Sequence, residues 1–118
     1  MSKQKMIDSD IRPWGKYEVI LEDSTYKVKR IFVNPGQRLS LQYHHKRSEI
    51  WTIVQGKALV TCGEEKIQCT KGDFVSIPTE TIHRIENIGT EDVIFIEVQN
   101  GSYLGEDDIV RLEDDYNR

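Results

Sequence analysis

The sequence predicts an all-β protein whose short strands form an antiparallel barrel or sandwich. Segments that alternate apolar and polar residues recur through the middle of the chain. Turn signals such as Pro35-Gly36 and Gln55-Gly56 separate these segments at close spacing. Helix signals are scarce. Many short strands with frequent turns are typical of all-β barrels and sandwiches.

The predicted strands follow one another from residue 26 onward. The first, residues 26–33, alternates and is rich in β-branched and aromatic side chains, and residues 93–99 form the most apolar strand. Pro78 stops the strand predicted at residues 74–77. The other predicted strands are residues 39–44, 50–54, 57–62, 66–69 and 82–86. The charged tail after residue 106 is expected to hold a helical turn around residues 107–112.

Length and composition predict one soluble domain. The chain has 118 residues, of which 37% are hydrophobic and 31% are charged. Its formal net charge of −4 disfavours a nucleic-acid partner, because phosphate backbones bind basic surfaces. No apolar run approaches the roughly 20 residues that span a bilayer, and the polar N-terminus lacks the apolar core of a secretory signal. The sequence therefore predicts a cytoplasmic protein with no membrane partner, in which Cys62 and Cys69 are free thiols.

A cluster of polar residues surrounds the two adjacent histidines. Because side chains alternate across a strand, Gln42 and His44 face the same side of their predicted strand. Glu49 begins the next strand, and His83 comes from a later one. One amide oxygen, two imidazoles and one carboxylate suit Zn²⁺, with Co²⁺, Mn²⁺, Ni²⁺ and Fe²⁺ as alternatives. The competing interpretation is that each histidine is an ordinary hydrogen-bonded strand residue, and His45 is expected to face the opposite side.

Two spaced motifs resemble those of the cupin superfamily. The members of the first motif are Gly36, Gln42, His44, Glu49 and Gly56, with Gln42 in place of a histidine. The members of the second motif are Gly72, Pro78, His83 and Asn87, with Glu80 in place of a glycine. The resemblance implies the cupin fold, which is a double-stranded β-helix or jelly-roll barrel with little helix. Gln42 then takes the position of a substituted metal ligand.

From Arg12 to Arg118 the chain is similar to the type II phosphomannose isomerase family. The segments that carry the resemblance are residues 12–17, 39–51, 77–87, 96–104 and 106–111. It implies a single cupin domain at residues 12–118, preceded by a polar segment at residues 1–11. In the family this domain forms the C-terminal part of longer enzymes that also carry a mannose-1-phosphate guanylyltransferase domain. Since no such domain precedes Arg12, guanylyltransferase activity is not expected of this chain.

The family resemblance implies a metal-dependent isomerase that interconverts mannose 6-phosphate and fructose 6-phosphate for nucleotide-sugar biosynthesis. Such a reaction moves a proton between C1 and C2 and needs a base. Glu97 is the candidate base, with His45 as a second candidate, and a salt bridge is the alternative role for Glu97. Arg47 and Arg84 are the candidates for the substrate phosphate, because arginine binds phosphate in a bidentate manner. Arg84, beside His83, is also placed in the catalytic group.

Two other functions stay open at this stage. One is a non-catalytic cupin module that binds a sugar or a sugar phosphate, and the other is a cupin oxidoreductase that uses iron and dioxygen. Retention of all four candidate ligands favours the isomerase. The segment Arg12-Pro-Trp-Gly15 and the acidic tail also predict a homodimer, because such flanking strands cover open sheet edges.

Overall fold

The computed structural model describes residues 7–118, so residues 1–6 of the predicted N-terminal segment lie outside it. Eleven β-strands form the regular structure of the described residues. In chain order they are β1 (Asp8–Arg12), β2 (Gly15–Glu22), β3 (Tyr26–Val33), β4 (Leu41–Tyr43), β5 (Arg47–Gln55), β6 (Ala58–Cys62), β7 (Glu65–Cys69), β8 (Phe74–Ile77), β9 (His83–Asn87), β10 (Val93–Gly101) and β11 (Val110–Glu113). Within residues 7–118 there is no helix long and apolar enough to cross a membrane.

The strands form two antiparallel sheets, and the all-β prediction is therefore confirmed. One sheet has the order β1-β2-β3-β10-β5-β8, and the other has the order β11-β4-β9-β6-β7. Ile31 and Trp51 from the first sheet and Val60 and Ile85 from the second belong to one buried apolar core. Cys62 and Cys69 are free thiols, as predicted.

The inward faces of β5 and β10 change from apolar to polar along their length. Their antiparallel register pairs Ile53 with Phe95, Trp51 with Glu97, and Glu49 with Gln99. All of these side chains are buried, because every second residue of each strand points into the barrel. One end of the interior is consequently an apolar core, and the other end is a buried polar chamber.

Two differences from the predicted strands bear on this chamber. β5 begins at Arg47 rather than at residue 50, which places Arg47 on the same inward face as Glu49. The predicted helical turn at residues 107–112 is wrong, because Val110–Glu113 is the strand β11 and pairs with β4. The charged tail lacks the alternation that marks a strand, and its conformation follows from hydrogen bonding to the edge of β4.

A close backbone approach fixes the start of β5. At Gly101, the last residue of β10, a Cβ atom would lie only 2.2 Å from the carbonyl oxygen of Lys46. Gly101 also pairs with Arg47 in the strand register. Glycine is required here because any side chain would push β5 away from β10. The position of Arg47 at the chamber therefore depends on this glycine.

Candidate metal centre

A pocket opens at the polar end of the barrel. Its wall includes Gln42, His44 and Glu49, which the sequence predicted as metal ligands, and Glu97, the candidate base. Arg47 lines the same pocket. The structure thus brings these residues together from β4, β5, β10 and the segment after β4, as the strand alternation predicted.

The two histidines are oriented by hydrogen bonds to backbone carbonyls. His44 Nδ1 lies 2.7 Å from the carbonyl oxygen of Asp108, and His83 Nδ1 lies 2.8 Å from that of Thr81. Because a carbonyl only accepts, each Nδ1 carries the hydrogen and donates it. In the neutral imidazole Nε2 then presents a lone pair. The two rings are neighbours, with their centroids 5.0 Å apart.

The Glu49 carboxylate lies between these two ring nitrogens. Its Oε2 is 3.1 Å from His44 Nε2, and its Oε1 is 3.9 Å from His83 Nε2. One ligand atom from each of the three residues lies within 4.8 Å of the others, and all three residues are buried. The Trp51 indole donates a 2.9 Å hydrogen bond to Glu49 Oε1 and so fixes the carboxylate.

The donor set fits a divalent metal ion. His83 Nε2 is buried without a hydrogen-bond partner among the described residues, which is costly unless something binds its lone pair. Metal-ligating histidines typically donate their other ring N–H to a backbone carbonyl, as both of these do. Gln42 lies opposite His83 in the strand register and lines the pocket with His44 and Glu49, so it is the candidate for a fourth ligand.

The charges of the site also favour metal binding. Burial lowers the pKa of His83, and the nearby charge of Glu49 offsets only part of this effect, so the ring stays neutral. Burial opposes ionisation of Glu49, but the hydrogen bonds that its carboxylate accepts and the charge of Arg47 outweigh this effect and hold its pKa well below the ordinary value. Neutral imidazoles and an ionised carboxylate are the forms that bind metal.

Arg47 is the buried counter-charge of Glu49. Its Nε donates a 2.8 Å hydrogen bond to Glu49 Oε2, and its Nη2 lies 3.2 Å from His44 Nε2. Its Nη1 is buried without a partner among the described residues. The guanidinium therefore neutralises the carboxylate and keeps one donor free.

Glu97 is held beside the candidate ligands. Trp51 Nε1, which donates to Glu49, also lies 3.1 Å from Glu97 Oε1, and Gln99 donates a 2.8 Å hydrogen bond to Glu97 Oε2. Burial, followed by the charge of Glu49, raises the pKa of Glu97 to about 8. A carboxyl group of this kind can exchange a proton near neutral pH.

Arg84 is not among the residues that line the pocket, and its catalytic and phosphate-binding roles stay predictions. Its Nε donates to the Leu39 carbonyl oxygen at 2.9 Å, and its Nη1 lies 3.4 Å from the Glu113 carboxylate. Adjacent residues of a strand face opposite sides, so Arg84 points away from the side that His83 faces. His45, the second candidate base, is exposed.

Three arginines of the pocket wall were missed by the sequence analysis. Arg12, Arg111 and Arg118 line the pocket together with Lys29. These arginines lie near the two ends of the chain, far from the motif residues, so no local pattern connects them with the site. The available signal was the family resemblance, whose segments include Arg12 and Arg111.

Comparisons with known proteins agree with this geometry. The family model described as mannose-6-phosphate isomerase C-terminal matches residues 2–114. The xanthan biosynthesis protein XanB of Xanthomonas campestris pv. campestris is 52% identical over 107 residues, which is 91% of this chain and 23% of that protein. The mannose-1-phosphate guanylyltransferase RfbM of Salmonella typhimurium is 47% identical over 102 residues, 86% of this chain and 21% of that protein.

A solved structure supports the cupin architecture. A conserved protein with a double-stranded β-helix domain from Klebsiella pneumoniae superposes with a TM-score of 0.72 at 25% identity, covering 81% of this chain and 82% of that chain. The predicted double-stranded β-helix is thereby confirmed. The chain spans less than a quarter of the length of the two curated relatives.

The relatives correct the function predicted from the sequence. The sequence predicted an isomerase that interconverts mannose 6-phosphate and fructose 6-phosphate, with a non-catalytic sugar-binding module as the alternative. This prediction does not describe the relatives. Proteins that contain this region are named for xanthan biosynthesis and as a mannose-1-phosphate guanylyltransferase. The prediction of a simple isomerase that acts alone is therefore wrong.

Proposed function

Because the chain belongs to the mannose-6-phosphate isomerase C-terminal family, we propose that it is the isomerase-type domain of a sugar-nucleotide-forming enzyme system. In this proposal the domain processes a phosphorylated sugar next to a mannose-1-phosphate guanylyltransferase activity, the activity for which RfbM is named. Guanylyl transfer itself is assigned to the parts of such proteins that this chain does not match. The observation that carries the proposal is the buried cluster of His44, Glu49 and His83, whose His44 and Glu49 line one pocket with the buried Glu97.

The metal of this site is proposed to be Zn²⁺, with Co²⁺, Mn²⁺, Ni²⁺ and Fe²⁺ as alternatives. Two imidazole nitrogens and one carboxylate, with the Gln42 amide as the fourth ligand, are typical of catalytic rather than structural zinc sites. When bound by these residues, the metal would supply Lewis acidity to polarise the carbonyl group of the sugar. Aldose–ketose chemistry needs this polarisation because it weakens the neighbouring C–H bond.

Glu97 is proposed as the group that moves the proton. Its carboxyl lies on the pocket wall, and the Trp51 indole bridges it to the carboxylate of Glu49. From there it would take a proton from the carbon next to the carbonyl and return it to the former carbonyl carbon, while the hydroxyl proton of the first carbon passes to the former carbonyl oxygen. The predicted phosphate contact of Arg47 stays untested. Since its guanidinium is hydrogen-bonded to Glu49, we propose that Arg47 holds this carboxylate and offers its free Nη1 to a sugar oxygen.

The predicted homodimer, the cytoplasmic location and the division of the chain at residue 12 stay predictions. An open edge supports dimer formation, because β1 ends the six-stranded sheet and the side chain of Ile11 on it is 84% exposed. Light scattering at micromolar concentration tests this expectation directly. A monomer would contradict it.

Proton transfer can be tested without assuming a product. Mannose 6-phosphate is incubated with the protein in deuterated water, and NMR measures deuterium at carbon 2 and any new sugar phosphate. We expect exchange or isomer formation that stops on chelation, returns with Zn²⁺, and is lost in Glu97→Gln. A parallel assay measures pyrophosphate release from GTP and mannose 1-phosphate. Pyrophosphate release without any proton exchange would contradict the proposal.

A further inference from the structure

A group of arginines lies at the mouth of the pocket, outside the buried metal centre. Arg12 comes from β1, Arg111 from β11, and Arg118 from the C-terminal tail, and all three line the pocket. Arg111 and Arg118 are exposed, and Arg12 is partly exposed, whereas His44 and Glu49 are buried. The pocket is therefore cationic at its opening and carries carboxylates and imidazoles at its base.

The strand register places Arg111 on the side of the candidate ligands. Arg111 pairs with Gln42, and Gln42 pairs with His83, so the three residues form one row across β11, β4 and β9. Directly opposed residues in antiparallel strands share a face of the sheet. The backbones at Arg111 and His83 are separated by two inter-strand spacings, which together are about 10 Å. That separation is comparable to the length of an extended six-carbon sugar phosphate.

The Arg111 guanidinium has no ionic partner of its own. Across residues 7–118, no hydrogen bond or salt bridge of the structure involves its side chain, whereas Arg12 contacts Asp10 and Arg118 contacts Asp114. Burial, then the positive charges of Arg118 and Arg12, lower the pKa of Arg111 despite the opposing charge of Asp114. The three cations line one pocket, and a bound anion would relieve the repulsion between them.

The inner cations of the pocket are already neutralised. Arg47 is paired with Glu49, and Lys29 is paired with Glu106. A phosphate dianion placed among them would lie beside the carboxylates of Glu49 and Glu106 and would be repelled. At the mouth, Arg12 and Arg118 are paired with Asp10 and Asp114, and Arg111 keeps an unpaired positive charge among the described residues.

We propose that Arg111, assisted by Arg12, binds the phosphate group of a phosphorylated sugar at the mouth of the pocket. The carbonyl end of the sugar then points inward to His44, Glu49 and His83. Arginine suits this task because its fork of N–H donors matches two phosphate oxygens. The inference rests on the proposed function, since it assumes that the substrate is a sugar phosphate.

Binding is tested by titration calorimetry of the Zn²⁺-loaded full chain with mannose 6-phosphate, mannose 1-phosphate and mannose. We expect mannose 6-phosphate to bind most tightly, and Arg111→Gln to weaken it by about tenfold or more, as for loss of a hydrogen bond between charged groups. Arg111→Lys keeps the positive charge but loses the fork of N–H donors, so its affinity for mannose 6-phosphate should lie between those of the wild type and Arg111→Gln. The matched control is Arg30→Gln, because Arg30 is an exposed arginine paired with Glu18 away from the pocket.

Inorganic phosphate provides an independent probe of the same subsite. It should compete with mannose 6-phosphate in the wild type and in Arg30→Gln, and compete poorly in Arg111→Gln. The three proteins should bind mannose equally and show the same thermal shift with Zn²⁺, which excludes a general structural effect. If the wild type prefers mannose 6-phosphate and Arg111→Gln binds it unchanged, the arginine subsite is wrong while the proposed function stands. If the wild type binds mannose 6-phosphate no better than mannose, both fail.

Discussion

Replacing Glu49 with glutamine tests the charge balance that the structure shows inside the pocket. Glu49 and Arg47 form a 2.8 Å ion pair, and their side chains are only 2% and 7% exposed. Removing one partner of such a buried pair leaves the other charge uncompensated, which costs about 3–5 kcal/mol of unfolding free energy. The carboxyl of Glu97 stands nearby, so we expect the lower end, about 3 kcal/mol. Arg47→Met should destabilise the protein similarly, because it leaves Glu49 unpaired.

The two substitutions are combined to isolate the ion pair. The double variant should lose less stability than the sum of the single variants, because no buried charge is left alone. Urea unfolding in the presence of chelator, followed by tryptophan fluorescence, measures the three losses without a contribution from metal. Typical domain stabilities of about 5–15 kcal/mol leave the single variants folded. If the stability losses of the single variants add up to that of the double variant within about 0.5 kcal/mol, the two side chains do not interact, and the buried ion pair does not stabilise the fold.

Three further outcomes are expected. Zn²⁺ at about 100 times its dissociation constant should stabilise the wild type by about 2.7 kcal/mol in thermal unfolding, and His83→Ala should abolish this gain while the exposed control His45→Ala keeps it. Gly101→Ala should destabilise the fold by more than Gly36→Ala. A Cβ at Gly101 would meet backbone 2.2 Å away, whereas one at Gly36 meets nothing within 4 Å and costs only the strain of its positive φ; equal losses in urea would contradict the close approach. Glu97→Gln should retain Zn²⁺ binding but lose proton exchange by about 10²–10⁴-fold, and an unchanged rate by NMR would remove Glu97 as the base.

The candidate ligands were predictable because the strand period of two determines which side chains share a face. The side chains that this period places together line one pocket, and they are Gln42, His44 and Glu49. The same rule separates Arg84 from the side that His83 faces. Arg84 follows His83 directly in β9, so the alternation that directs the histidine inward sends the arginine to the opposite face.

The rest of the site depends on contacts between distant parts of the chain. Arg12 and Arg111 lie on strands at the sheet edges, where polar sequences do not alternate visibly, and neither strand was predicted. Arg111 reaches the pocket only because β11 adds to the edge of β4. The hydrogen bond from His44 to the Asp108 carbonyl is likewise a tertiary contact, and no spacing in the sequence predicts it.

The position of a bound metal shows whether His44, Glu49 and His83 form the metal centre. Crystals of the protein soaked in Zn²⁺ are measured at the zinc absorption edge, and the anomalous difference map locates the ion. We expect one strong peak bounded by Nε2 of His44, Nε2 of His83 and the carboxylate of Glu49, at zinc–ligand distances of about 2.0–2.2 Å. A peak elsewhere on the molecule, with Arg47 still bonded to Glu49 and the two imidazoles unligated, would contradict it.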